Sequence, residues 1–241
     1  MKNNFIKFIK KPSQYSLEIE KINPSFFIWI IAISIFVKLT FDILSPHDFP
    51  KEFSYETAGI FSPTVSEYLI SYLLILFINF SIFIPIMLFN IIKDSYFFKF
   101  VLVNLTGVLF LSIPLLLKDY HIYFAITTPI IIWFLISRRN KEKYYTLLKL
   151  TISAQIISII SEPFMFLSES AKNEILFTST NLFFAILYVI YFVKLIKSKF
   201  DISINKIVFY SLTSAVFSLI YGFIIYRSNI FSSNIIKLLL Y

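Results

Sequence analysis

The sequence predicts an all-α fold, a polytopic transmembrane helix bundle of seven spans (six if two central elements merge) with its N-terminus in the cytoplasm. Three observations carry this expectation. Hydrophobic residues fill 58% of the 241 positions and charged residues only 15%, where a soluble domain averages roughly a quarter charged. Uncharged runs are long: Tyr68 to Ile92 is 25 residues and Ile207 to Tyr226 is 20, and about 20 apolar residues of helix cross a bilayer core. Basic residues alternate from loop to loop, the pattern that orients a chain across a membrane. A soluble domain would break its apolar runs every few positions, so that class is excluded.

Residues 1–25 form a basic, amphipathic segment assigned to the cytoplasmic side. Phe5, Ile6, Phe8 and Ile9 interleave with Lys7, Lys10 and Lys11 before Pro12 breaks the run. Such a stretch either lies on the headgroup surface or is a solvated tail that supplies orienting charge. Ser16 to Ile22 reads as a short helix capped by Ser16, leading into Asn23-Pro24. The segment lacks the apolar core and small-residue cleavage site of a signal peptide, so the first span is expected to serve as the targeting signal.

The bundle occupies 26–226, with spans at about 26–44, 67–92, 98–117, 120–137, 146–167, 175–197 and 204–226, followed by a tail at 227–241. Only Lys118 and Asp119 separate the third and fourth, which form a tight hairpin or one re-entrant element. Glu162 and Pro163 inside the fifth point to a kink or an early end.

With seven crossings, the cytoplasmic face receives 16 basic residues and the opposite face five, with Lys38 inside the first helix. The stretch "ISRRNKEKYYTLLK", residues 136–149, becomes a cytoplasmic loop held inside by Arg138, Arg139, Lys141, Lys143 and Lys149. Asp48, Glu52, Glu56, Glu67, Asp119, Glu169 and Glu174 fall on the outer side. The expected partners are anionic lipids at the cytoplasmic face, attracted by roughly 1 kcal/mol per well-placed Lys or Arg, and a protein partner or second copy within the membrane. The net charge of +8 belongs to this orientation, and nucleic acid is not an expected partner.

No enzyme signature is present: no HExxH, GxSxG, Walker A loop or GxGxxG occurs, so no catalytic or cofactor-binding residue is expected. Cysteine is absent, which removes disulfide and thiol chemistry. His47 and His121 are too few for a metal site, which draws on three or four ligands. The 30 phenylalanines follow AT-rich codon usage, shared with Ile, Lys, Asn and Tyr, and point to no ligand.

Ionisable and polar residues at membrane depth are the functional candidates. Lys38 and Asp42 are four apart on one helix face, where a neutralising intrahelical pair competes with a gate or proton-coupled site. Glu162 follows Gln155 on the fifth span, and a buried carboxyl there must be neutral or paired. Asn104, Gln155 and Asn181 offer interhelical hydrogen bonds. Ser214, Ser218 and Gly222 recur every four residues on the last helix, as Ala154 and Ser158 do on the fifth, a spacing that lets backbones approach. Pro85, Pro114, Pro129 and Pro163 each free backbone groups inside a span.

The order of features carries a resemblance. A cytoplasmic segment runs through LEIEKINPSFFIWIIAISIFV into the first span. A basic stretch then feeds KEKYYTLLKLTISAQIISIISEPF, and TNLFFAILYVIYFVKLIKSKFDISINKIVFYSLTSAVFSLIYG joins two final spans. Tyr144 and Tyr145 before a helix with Pro163 near its far end, and the short polar loop Ser198 to Lys206, resemble the Yip1 family of small polytopic membrane proteins. The resemblance covers about 100 residues of the C-terminal half. Arg138, Arg139 and Asn140 stand where that family often has glycines. It implies a non-enzymatic membrane scaffold or interaction protein, linked in eukaryotes to membrane traffic and small-GTPase partners, with no catalytic residue to carry over. The alternative expectation is the membrane subunit of a transporter or other multi-component complex.

Because the chain has no cysteine, single introduced thiols report topology cleanly. Asn140→Cys is expected to react with an impermeant maleimide only from the cytoplasm and Glu52→Cys only from outside. Reaction of both from one side would remove the seven-span map.

Overall fold

The computed structural model describes residues 2–44, 64–92, 121–132, 134 and 140–228, with 230–232, 235 and 238 near the C-terminus. The described residues form helices only, without a strand. In chain order these are α1 (Lys2–Lys10), α2 (Pro12–Leu17), a 3₁₀ turn (Ile19–Lys21), α3 (Pro24–Leu44), α4 (Val65–Ile78), a π turn (Asn79–Phe83), α5 (Ile84–Ile92), α6 (His121–Ile132), α7 (Lys141–Ser170), α8 (Glu174–Phe200) and α9 (Ile204–Ser228). Among the described residues, five helices are long and apolar enough to cross a membrane: α3, the continuous Val65–Ile92, α7, α8 and Ile204–Tyr226 of α9. They cover the expected first, second, fifth, sixth and seventh spans. The third, at 98–117, lies outside the described residues, as do Asn104, Pro114, Arg138, Arg139 and the loop around His47. The fourth is described as the 12-residue α6.

Local chemistry sets the helix starts. Asn23 caps α3, its Oδ1 accepting from the Ser25 amide at 2.9 Å, with Pro24 at the first helical position where no N–H is needed. Thr64 and Glu67 form a capping box: the Thr64 amide donates to Glu67 Oε2 at 2.9 Å, and the Glu67 amide to Thr64 Oγ1 at 3.3 Å. Asn173 caps α8 by accepting from the Leu176 amide at 3.0 Å. Asp201 ends α8 in the left-handed region, with φ 51°.

Three sequence expectations need correction. Residues 141–149 are not loop but the opening turns of α7, whose 30 residues make a rod of about 45 Å, longer than a bilayer core. Pro163 does not end that helix, which runs on to Ser170. At the N-terminus, Ser16 caps nothing. It lies inside α2 and its Oγ donates back to the Ser13 carbonyl at 2.8 Å.

The chain divides into two compact units: Met1–Tyr72 with Lys149–Asp201 and Lys237–Tyr241, and Leu73–Leu148 with Ile202–Ile236. In the first, α2 packs along α8, and Phe8, Tyr15, Ile19, Leu195 and Ile196 are fully buried. The N-terminal segment is thus a packed layer and not a solvated tail. Phe8 lies between Tyr15 and Tyr191, with ring centroids 5.4 and 5.3 Å away. Tyr191 Oη donates to the Ile9 carbonyl at 2.9 Å, and Tyr15 Oη lies 2.8 Å from Ser153 Oγ. Ser153 Oγ gives its own proton to the Lys149 carbonyl, so Tyr15 is the donor in that pair.

In the second unit, α9 packs on α5, on the π turn and on α6. Here two prolines and two tyrosines solve one problem. Pro129 inside α6 has no N–H for the Ala125 carbonyl four residues back, and Tyr221 Oη donates to that oxygen at 2.6 Å. Pro85 follows the π turn, where carbonyls pair five residues ahead, as Asn79 O does with the Ile84 amide. Phe80 would need an amide from Pro85; Tyr144 Oη donates to it instead, at 2.9 Å.

Tyr221→Phe is expected to lower stability by about 1–3 kcal/mol, the cost of an unsatisfied buried carbonyl. In a Pro129→Ala background that cost should largely vanish, because residue 129 then supplies the amide. Thermal unfolding in detergent measures both, and an equal cost in the two backgrounds would refute the assignment.

Candidate functional site

The first unit brings together four charged residues of the apolar helices. On α3, Lys38 and Asp42 share a face, as the sequence spacing requires. On α7, Glu162, Phe166 and Glu169 share another. Phe41 and Phe166 meet with centroids 5.3 Å apart and hold the two faces in register. Lys38 reaches across the helices: its Nζ lies 3.6 Å from Glu162 Oε1 and 5.8 Å from the centre of the Tyr72 ring. Asp42 lies in the field of Glu162, Lys38 and Glu169. Glu169 is only 6% exposed. Lys38 thus pairs with Glu162, and Asp42 and Glu169 lie in the same electrostatic neighbourhood. Charged groups on apolar helices are costly to desolvate, which makes this cluster the candidate functional site. Among the described residues, no three His, Cys, Asp or Glu side chains are placed to hold a metal ion.

Lys38, Asp42 and Glu162, singled out from sequence, are brought together. The other sequence candidates are not. Gln155 is half-buried on α7 and Asn181 is exposed on α8. Ser214 is fully buried and donates to the Tyr210 carbonyl at 2.8 Å, while Ser218 donates to Ser214 O at 3.0 Å. A Cβ added at Gly222 would meet nothing within 4 Å. Sequence reasoning passed over Glu169 and Tyr72. The spacing of Glu162 and Glu169, seven residues or two turns apart, was the signal available for Glu169.

A second polar assembly ties the N-terminal layer to α8. Lys7 pairs with Glu18, and Lys199 Nζ lies 2.6 Å from Glu20 Oε1. Lys149 lies over the Phe27 ring, 5.4 Å from its centre. The Lys7 hydrogen bond holds the exposed Glu18 carboxyl below its usual range. Burial pushes the Tyr15 phenol up to about 12, so it stays a neutral donor to Ser153.

Compared with known proteins, the chain matches no family model, no curated protein and no solved structure.

Two outcomes are expected. Lys38→Met should destabilise the first unit by on the order of 2–3 kcal/mol by stranding Glu162, and Lys38→Met/Glu162→Gln should recover most of the loss. Additive effects of Lys38→Met and Glu162→Gln in detergent unfolding would show that the pair does not act as one. Because the Glu18 pKa is depressed in the folded layer, its stabilising effect is present at neutral pH and lost as pH falls through the lowered value. Amide exchange in α1 and α2 should therefore speed up on acidification in the natural chain and show less pH dependence in Glu18→Gln.

Proposed function

We propose that the chain is a seven-span protein of the cell membrane, or a six-span one if the central pair is re-entrant, with a cytoplasmic N-terminus. In this reading it acts without enzymatic activity as a Yip1-like scaffold or interaction protein. The observation that supports it most is the bare surface of α8. Ile175, Leu182, Phe183, Ile186, Val189 and Ile190 are all exposed along it. Only 6% of its apolar window is covered by the chain itself, against 44% for Ile204–Tyr226. A helix left so uncovered, yet fastened to the N-terminal layer at one end, suits a partner helix or a second copy. The 16-to-5 division of basic residues supports the cytoplasmic N-terminus.

A second reading, a transporter subunit, draws on the Lys38, Asp42, Glu162 and Glu169 cluster, since charge at membrane depth marks ion and substrate paths. Proton or ion flux into proteoliposomes that Glu162→Gln abolishes would favour it over the scaffold.

For the scaffold, the chain isolated gently in native lipid should carry a partner or second copy at fixed stoichiometry. Phe183→Ala/Ile186→Ala should weaken that association by at least about tenfold, since each buried apolar truncation commonly costs 1 kcal/mol or more. A natural chain that is strictly monomeric and alone at all concentrations would overturn the reading.

A further inference from the structure

We propose that the groove between α1–α2 and the last turns of α8 binds a lipid headgroup carrying a phosphomonoester. Its walls are Lys10, Lys11, Pro12, Ser13 and Gln14 on one side and Lys194, Lys197, Ser198 and Asp201 on the other. The space between them is about 1150 Å³, part of it open to solvent.

The charge is the first argument. Lys7 and Lys199 nearby have carboxylate partners, but Lys10, Lys11, Lys194 and Lys197 make no ion pair among the described residues. Lys10 ends α1, and Lys194 and Lys197 lie in the last two turns of α8, so two helix C-termini point toward this region. Each end contributes about half a negative charge. Those ends and the Asp201 carboxylate offset part of the four ammonium groups and leave about two positive charges uncompensated. A phosphomonoester carries about −1.5 to −2 near neutrality and offers three strong acceptor oxygens. A phosphodiester headgroup carries only one phosphate charge and matches less well. The Ser13 and Ser198 hydroxyls and the Gln14 amide add neutral donors on the same rim.

Depth is the second argument, and it selects a lipid over a soluble phosphate. Ile175 to Val193 of α8 is 19 residues without a charge, about 28 Å of helix and close to the thickness of a hydrocarbon core. Lys194 is the first charge beyond it, so Lys194 and Lys197 sit at headgroup level once α8 spans. Beside the groove, α1 buries Phe8 but exposes Phe5, Ile6 and Ile9, an apolar face suited to the acyl boundary. The site needs only that α8 crosses a bilayer, and does not rest on the scaffold role.

The full chain in phosphatidylcholine nanodiscs, containing phosphatidic acid or phosphatidylglycerol at equal mole fraction, tests this by native mass spectrometry of retained lipid. Phosphatidic acid should be retained at least about tenfold better. Lys10→Gln/Lys11→Gln/Lys194→Gln/Lys197→Gln should abolish that preference, and the four arginine replacements should keep it. Lys141→Gln/Lys143→Gln, basic residues outside the groove, should leave it intact. No preference in the natural chain, or equal loss in the Lys141/Lys143 variant, would overturn the site. Full displacement by millimolar inorganic phosphate would overturn the lipid assignment.

Discussion

The structure depends on one constraint: a backbone carbonyl inside an apolar helix bundle must find a donor, because no water is there to supply one. Pro85 and Pro129 break the hydrogen-bond ladder within apolar helices and would each strand an oxygen. Tyrosines from other elements close both gaps, Tyr144 at Phe80 and Tyr221 at Ala125. Each bond is also a long-range tether, so the proline that weakens one helix specifies which neighbour must pack against it. The π turn at Asn79–Phe83 belongs to the same arrangement, a local widening that seats Pro85 without ending the helix.

Charge obeys a similar economy in the first unit. Lys38 lies 3.6 Å from Glu162 on another helix, and Asp42 and Glu169 share that field. A charged cluster on apolar helices is a poor device for stability alone, since desolvation offsets most of the Coulomb attraction. This is the one described place where intramembrane chemistry has material to work with. Outside the apolar zone, the lysines of the N-terminal layer and of the end of α8 divide into two sets. Lys7 and Lys199 fasten α1, α2 and the 3₁₀ turn through Glu18 and Glu20, while Lys10, Lys11, Lys194 and Lys197 face a shared groove.

The helical, apolar class was legible because uncharged length is a direct count along the chain, and five expected spans recur within a few residues of their expected limits. Misreadings arose where local signals competed. The basic residues of 141–149 looked like loop, yet Lys and Glu are good helix formers, and α7 extends beyond bilayer thickness with its charged end. Of the kink or early end that Pro163 allows, the early end does not occur, because a proline in a long helix loses one hydrogen bond and need not end it. The N-terminal segment was ambiguous because its apolar residues are few. Only contact with Tyr191 and Ser153, more than 130 residues away, shows which of them are buried.

By itself the sequence determined the helical class, the approximate limits of five apolar helices and the sharing of one face by Lys38 and Asp42. All of these follow from composition and a 3.6-residue repeat. Tertiary structure alone decided that Lys38 pairs with Glu162, that Tyr144 and Tyr221 serve carbonyls orphaned by prolines, and that four lysines from two distant segments share a groove. The physical reason is range: periodicity governs neighbours within a turn or two, whereas a donor's choice of acceptor depends on which helices lie side by side.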